Sequence, residues 1–127
     1  MSSDLSKKKV FLLAGHAQSG KTSLVEAILF KTKANSRLGS IDQGTSISDY
    51  EDDEKTRKSS INLSVLKADY KGNSLQFIDT PGYLDFIGEL VTSSKAADFA
   101  IIVVDAVEGV GVGTEKAWEL LQRENIP

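Results

Sequence analysis

Eight residues, Gly15-His16-Ala17-Gln18-Ser19-Gly20-Lys21-Thr22, constrain this chain more than any other stretch. They fit G-x-x-x-x-G-K-[ST], the spacing of a phosphate-binding loop. The glycines permit turns that a Cβ would forbid and a close approach of backbone to ligand. Successive N–H groups can then form an anion nest, reinforced by the positive end of the following helix. Lys21 supplies a mobile positive charge for outer phosphates, and Thr22 a hydroxyl for magnesium. The flanks agree. Val10 to Ala14 is a short apolar run that reads as a buried strand, and Leu24, Val25, Ile28 and Leu29 recur at helical spacing. A helix is expected from Gly20 to about Phe30 or Lys31.

With 127 residues the chain can bury a single core. Its net charge of −3 is spread, so bulk charge gives no reason to expect non-specific nucleic-acid binding. Lys7-Lys8-Lys9 is the one basic run and reads as a solvated lead-in to the first strand. The absence of cysteine excludes disulfides and thiolate metal sites. No apolar run reaches membrane-span length, and residues 1–6 lack the apolar core of a signal peptide. The expectation is a cytoplasmic protein with no membrane partner.

After the first helix, a polar stretch from Thr32 to about Ser60 carries Gly39, Gly44 and the acidic run Asp49-Tyr50-Glu51-Asp52-Asp53-Glu54 without periodicity. So long a segment in a small domain is usually functional or disordered, and one ordered only by ligand would be both. The acids lack the spacing of a calcium loop. Ile61, Leu63 and Val65 alternate with Asn62 and Ser64 as in a half-buried strand. Lys71-Gly72-Asn73-Ser74 is turn chemistry, and Leu75 to Asp79 is the next strand, so the two form an antiparallel hairpin. Leu84, Ile87, Leu90 and Val91 mark a second helix. Ala100 to Val104, ending in Asp105, reads as a strand buried on both faces. A glycine-rich loop, Ala106 to Gly113, leads to a third helix through Ala117, Trp118, Leu120 and Leu121 that ends near Asn125. Gly109, Gly111 and Gly113 mimic G-x-G-x-G, but follow the fourth strand and lack the later acidic partner of a dinucleotide site.

Alternating strands and helices imply a mostly parallel sheet with ligands beyond the strands' carboxyl ends. Gly15 and Asp79 both lie there. The expected fold class is α/β, a P-loop nucleotide triphosphatase: three layers, with one antiparallel hairpin strand in the sheet. A strand should follow the last helix, so the chain is expected to stop before the final strands. Asp79-Thr80-Pro81-Gly82 is the second signal. A carboxylate at a strand end can hold magnesium, and Gly82 lets its N–H approach a terminal phosphate. A plain Pro-Gly turn would be the better reading without the upstream loop.

Gly15 to Leu24, Asp79 to Phe86, and Asp105 to Val110, with Gly88-Glu89-Leu90 and Thr114 to Trp118, resemble the translational GTPases, nearest to the GTP-binding domain of elongation factor G. The resemblance covers nearly the whole chain. It implies a partial GTP-binding domain over 1–127, a mobile first switch within 32–60 and a second switch region within 79–95. It implies GTP and GDP as ligands, Mg2+ as cofactor, magnesium-dependent hydrolysis, and the ribosome as partner of the full-length protein. No sequence-specific nucleic-acid contact is expected from this domain. The nucleotide would be held by Gly15, His16, Ala17, Gln18, Ser19, Gly20, Lys21, Thr22, Ser23, Asp79 and Gly82. The metal would lie at Thr22 and Asp79, with Ser60 where the family carries a threonine. A solvated loop serine is the competing reading of Ser60, because Lys58-Ser59-Ser60-Ile61 departs from the usual Arg-Gly-Ile-Thr. Lys21, Gly82 and Tyr83 would act in catalysis. Tyr83 replaces the histidine that positions the attacking water, and a phenol with a pKa of about 10 is a poor base at neutral pH. Gln18 replaces an aspartate that could help bind a monovalent cation. His16, the sole histidine, would pack behind the phosphates rather than act as a base. Guanine-reading motifs of the family would lie beyond Pro127. Two other functions stay open: a non-hydrolysing or very slow GTP-binding switch, and a P-loop ATPase.

Overall fold

The computed structural model describes residues 5–34, 63–82 and 87–127. Ser60, Tyr83, the acidic run and all but the first residues of the 32–60 stretch lie outside them. After a short 3-10 turn at Leu5–Lys7, the elements are β1 (Lys8–Ala14), α1 (Lys21–Lys31), β2 (Ser64–Tyr70), β3 (Asn73–Asp79), α2 (Ile87–Ser94), β4 (Phe99–Ile102) and α3 (Val112–Arg123). The strands form one sheet in the order β2-β3-β1-β4. β1 runs parallel to β3 and β4, and β2 is antiparallel to β3. This is the expected α/β class.

The pleat of β1 divides the core. Leu12 and Ala14 face α2 and α3, where Leu90, Ala117, Leu120 and Leu121 pack with Ile78. Leu13 faces the other way, onto Val25 and Leu29 of α1 with Phe77 and Ala68. Helices on both faces of the sheet give three layers. Leu12 and Leu13, both fully buried, each contribute about 1.5–3 kcal/mol of hydrophobic stabilisation. Phe11 stacks between Phe77 and Phe99 with centroids 5.5 and 5.7 Å apart, tying β1 to both neighbours.

Three expectations are corrected. Among the described residues the hairpin strand is Ser64–Tyr70, with Ile61 and Asn62 outside them, and its face toward α1 is Ser64, Leu66 and Ala68. Val65 points away and is 61% exposed. Pairing with β3, Val65 opposite Ile78, fixes this parity, and a one-residue shift of phase exchanges the faces of a strand. The turn shortens to Lys71-Gly72, both at positive φ (48° and 77°), which suits a two-residue hairpin.

β4 is half-buried rather than buried on both faces, and Phe99 is 41% exposed. It lies at an edge of the described sheet, where Ala100 N–H donates to the Pro127 carbonyl instead of a further strand. Trp118 stands outside the core stripe of α3 at 56% exposure, because Thr114, Ala117 and Leu121 already fill the face toward the sheet.

Candidate functional site

β1 delivers Gly15 to the carboxyl edge of the sheet, and the loop turns through Gly15 (φ 143°), Gln18 (φ 61°) and Gly20 (φ 99°). Only the glycines take those angles without strain. At Gly15 a Cβ would also collide with the Val103 carbonyl oxygen, whereas at Gly20 nothing among the described residues lies within 4 Å. Gly20 is the N-cap of α1 and has no side chain to offer the helix's first amides, an arrangement suited to an anion.

Lys21 opens α1 and folds back over the loop. Its Nζ donates to the carbonyls of His16 (2.8 Å) and Gly15 (3.3 Å). The side chain is buried, which lowers its pKa, while the Asp79 carboxylate acts in the opposite sense. A desolvated ammonium held by two neutral carbonyls is suited to a polyanion. Ser19 Oγ is buried and has no hydrogen-bond partner among the described residues. Gln18 and the Ser23 side chain are exposed.

β3 brings Asp79 beside α1 in register with Leu13. Thr22 Oγ1 donates to Asp79 Oδ2 at 2.5 Å, and both residues are buried. A short charge-assisted bond of this type contributes about 1.5–3 kcal/mol. Thr80 Oγ1 donates to the Leu13 carbonyl at 2.6 Å and so locks the end of β3 to β1. Gly82 then lies against the loop: a Cβ there would stand 2.6 Å from Ala17 Cα, Ala17 N and Lys21 Nζ. The site is therefore Gly15 to Thr22, Asp79 and Gly82 brought together.

The donor set fits magnesium. A buried hydroxyl beside a carboxylate offers hard oxygen ligands. No cluster of three or more His, Cys, Asp or Glu suited to a metal occurs among the described residues. Magnesium commonly needs only one or two protein oxygens, with phosphate and water completing its shell. The orphaned Ser19 hydroxyl and the side-chain-free cradle at Gly82 fit a phosphate chain equally.

Two features of the site lie beyond the sequence reading. Thr80, which in sequence belongs to the Pro-Gly turn, is the strand clamp. Gly111 and Gly113, which in sequence suggest only a weak dinucleotide motif, make room for a side chain. A Cβ at either would meet the His16 ring, at 2.9 Å from Cγ and 2.8 Å from Nδ1 respectively. Gly113 N–H donates to His16 Nδ1 at 3.1 Å. The available signal is small residues at alternate positions opening a helix, which marks close approach. Gly109 (φ 73°) instead closes a turn in which Asp105 Oδ1 accepts from Val107 N–H (2.7 Å) and Glu108 N–H (2.8 Å). These bonds hold the Asp105 carboxyl below its usual range. Between this turn and Ala17 to Ser19 opens a cavity of about 480 Å3.

Known proteins resemble this chain in sequence and fold. The family described as the elongation factor Tu GTP binding domain matches residues 7–127. The elongation factor G-like protein of Mycobacterium tuberculosis is 39% identical over 116 residues, 91% of this chain and 16% of that protein. Mitochondrial ribosome-releasing factor 2 of Meyerozyma guilliermondii is 34% identical over 125 residues, 98% of this chain and 15% of that protein. A crystal structure of a Thermus thermophilus protein superposes with a TM-score of 0.90 at 40% identity, covering 94% of this chain and 18% of that one. A bacterial selenocysteine-specific elongation factor superposes at 0.72 with 28% identity, covering 94% and 18%. The chain thus spans about one sixth of the curated relatives it matches. No described helix is long and apolar enough to cross a membrane. By its fold, by the residues assembled at the sheet edge and by these likenesses, the chain belongs to the elongation factor Tu GTP-binding domain family, the G domain of translational GTPases.

Proposed function

We propose that this domain binds GTP and GDP with Mg2+ and hydrolyses the γ-phosphate as the switch of an elongation-factor-G-like protein acting on the ribosome. The observation that carries this reading is the convergence of Lys21, the Thr22–Asp79 pair and Gly82 on one loop. Amides from His16 to Thr22 would cradle the phosphates, with Gly15, Ser19 and Ser23 framing the loop. Lys21 would exchange its carbonyl contacts for phosphate oxygens and balance their charge. Thr22 and Asp79 would hold the ion, and the Gly82 N–H would meet the terminal phosphate. Bound magnesium would supply electrophilic charge across the outer phosphates.

Catalysis on this reading is positioning and charge stabilisation rather than covalent chemistry. By resemblance, Ser60 would join the metal shell, Tyr83 would orient the attacking water, and the stretches 32–60 and 79–95 would act as switches. The relatives named for elongation factor G and for ribosome release support a ribosomal partner.

Single-turnover phosphate release from GTP, with and without ribosomes, tests the proposal in a protein carrying this domain. Ribosome-stimulated release supports it. A rate unchanged by ribosomes, and unchanged again by Tyr83→His, contradicts it and favours a non-hydrolysing switch.

A further inference from the structure

α3 opens on Gly111-Val112-Gly113-Thr114, with Gly111 as N-cap. A helix start leaves several N–H groups without intrahelical partners, and an N-cap side chain usually accepts one. Gly111 has no side chain. Thr114 Oγ1 meets half the need by accepting the Gly111 N–H at 3.3 Å. The acceptor for the Gly113 N–H comes from across the fold: His16 Nδ1, 97 residues away in sequence. His16 caps α3 in place of the missing N-cap side chain.

The same residue belongs to the phosphate loop, where its carbonyl accepts from Lys21 Nζ at 2.8 Å. Gly113 also abuts the other wall of the site, since a Cβ on it would stand 3.1 Å from the Gly82 carbonyl oxygen. Glycines at 111 and 113 are what admit the ring, although glycine weakens a helix relative to alanine. Ring, loop backbone, Lys21 and Gly82 therefore meet at the first turn of α3.

We infer that His16 is a positioning residue that ties the phosphate loop to the start of α3 and thereby slows release of bound nucleotide. The retention half of this inference rests on the proposed nucleotide site. The capping half rests on the geometry alone. A loop that moves to release phosphates must either break the His16–Gly113 bond or carry α3 with it. Because Nδ1 accepts, the neutral ring carries its proton on Nε2. An asparagine at position 16 could present its Oδ1 in the place of Nδ1, whereas alanine could not.

The test combines two readouts on wild type, His16→Ala, His16→Asn and Gly113→Ala. Amide hydrogen exchange at Gly113, in protein without nucleotide, reports the cap. Dissociation of a fluorescent GDP, chased with excess GDP, reports retention. His16→Ala is expected to accelerate both by roughly fivefold, the factor set by one hydrogen bond of ordinary net strength, with His16→Asn within about twofold of wild type. Gly113→Ala, which drives a methyl into the ring, should speed GDP dissociation even if His16→Ala proves insoluble. Wild-type rates in both readouts for His16→Ala would overturn the inference, as would His16→Asn behaving like His16→Ala. Wild-type protein that binds no GDP would refute the nucleotide reading and the retention half. Gly113 exchange would still decide the cap.

Discussion

Replacing Gly82 by alanine tests whether the loop and the end of β3 form one fitted surface. The new methyl would lie 2.6 Å from Ala17 Cα, Ala17 N and Lys21 Nζ, while ordinary contact begins near 3.4 Å. Something must therefore move by about 0.8 Å. The Lys21 ammonium can swing away, at the loss of its bonds to the Gly15 and His16 carbonyls. Ala17 is backbone and moves only with the loop. Overpacking of this kind costs about 1–3 kcal/mol, which lowers the melting temperature by about 4 °C for each kcal/mol in a domain of this size. The same energy spent on holding the loop open weakens GDP binding by about fivefold to 150-fold. Gly88→Ala is the control. Among the described residues nothing lies within 4 Å of its added methyl, and it sits in the first turn of α2, so stability should stay level or rise by up to about 1 kcal/mol. Thermal melts and GDP titrations of both variants decide. Gly82→Ala with wild-type melting and affinity, or Gly88→Ala equally damaged, would refute the fitted surface.

Thr22→Val removes the hydroxyl that donates to Asp79 and should cost about 1.5–3 kcal/mol in chemical denaturation and reduce the magnesium dependence of GDP binding; unchanged magnesium dependence would remove Thr22 from the metal shell. Lys21 has a lowered pKa in the folded state, so between that lowered value and 10.5 the unfolded chain binds the extra proton and stability rises with pH. Wild type should therefore gain stability relative to Lys21→Met as pH is raised through that window, and a flat difference would show that burial of the charge is not felt. Asp105 gives a slope of the same sign at lower pH: its carboxyl lies below the usual range, so its contribution is present above the unfolded value and is lost as pH falls through the folded one. Denaturation of wild type and Asp105→Ala should converge in acid, and a constant gap would contradict the turn's role.

The fold is legible wherever one local pattern decides it. The apolar run of β1, the turn glycines at 15 and 20 and the helical spacing of Leu24 to Leu29 each determine their own element. The phase of β2 is hidden because its core face carries Ser64 and Ala68, small residues with weak apolar signal, while Val65 on the outer face suggests the reverse. Pairing with β3 overrides the pattern. The exposure of β4 is hidden too, because an unbroken apolar run does not reveal which neighbours cover it. At the site, Lys21, Thr22 and Asp79 are legible from motif spacing, and their contact is not. The Thr80 bond to Leu13 spans 67 residues and the His16 bond to Gly113 spans 97. Contacts at such separations belong to the topology, which the order of elements implies only coarsely.

In the proposed function, Gly15 to Thr22, Asp79 and Gly82 form one magnesium-assisted site for guanine nucleotide. Calorimetric titration of GDP with and without Mg2+, on wild type and Lys21→Ala, with ATP as competitor, tests it most directly. The expected result is GDP binding that magnesium strengthens, that Lys21→Ala abolishes and that ATP does not displace. GDP binding that survives Lys21→Ala, or that ATP displaces as readily as GDP does, would contradict it.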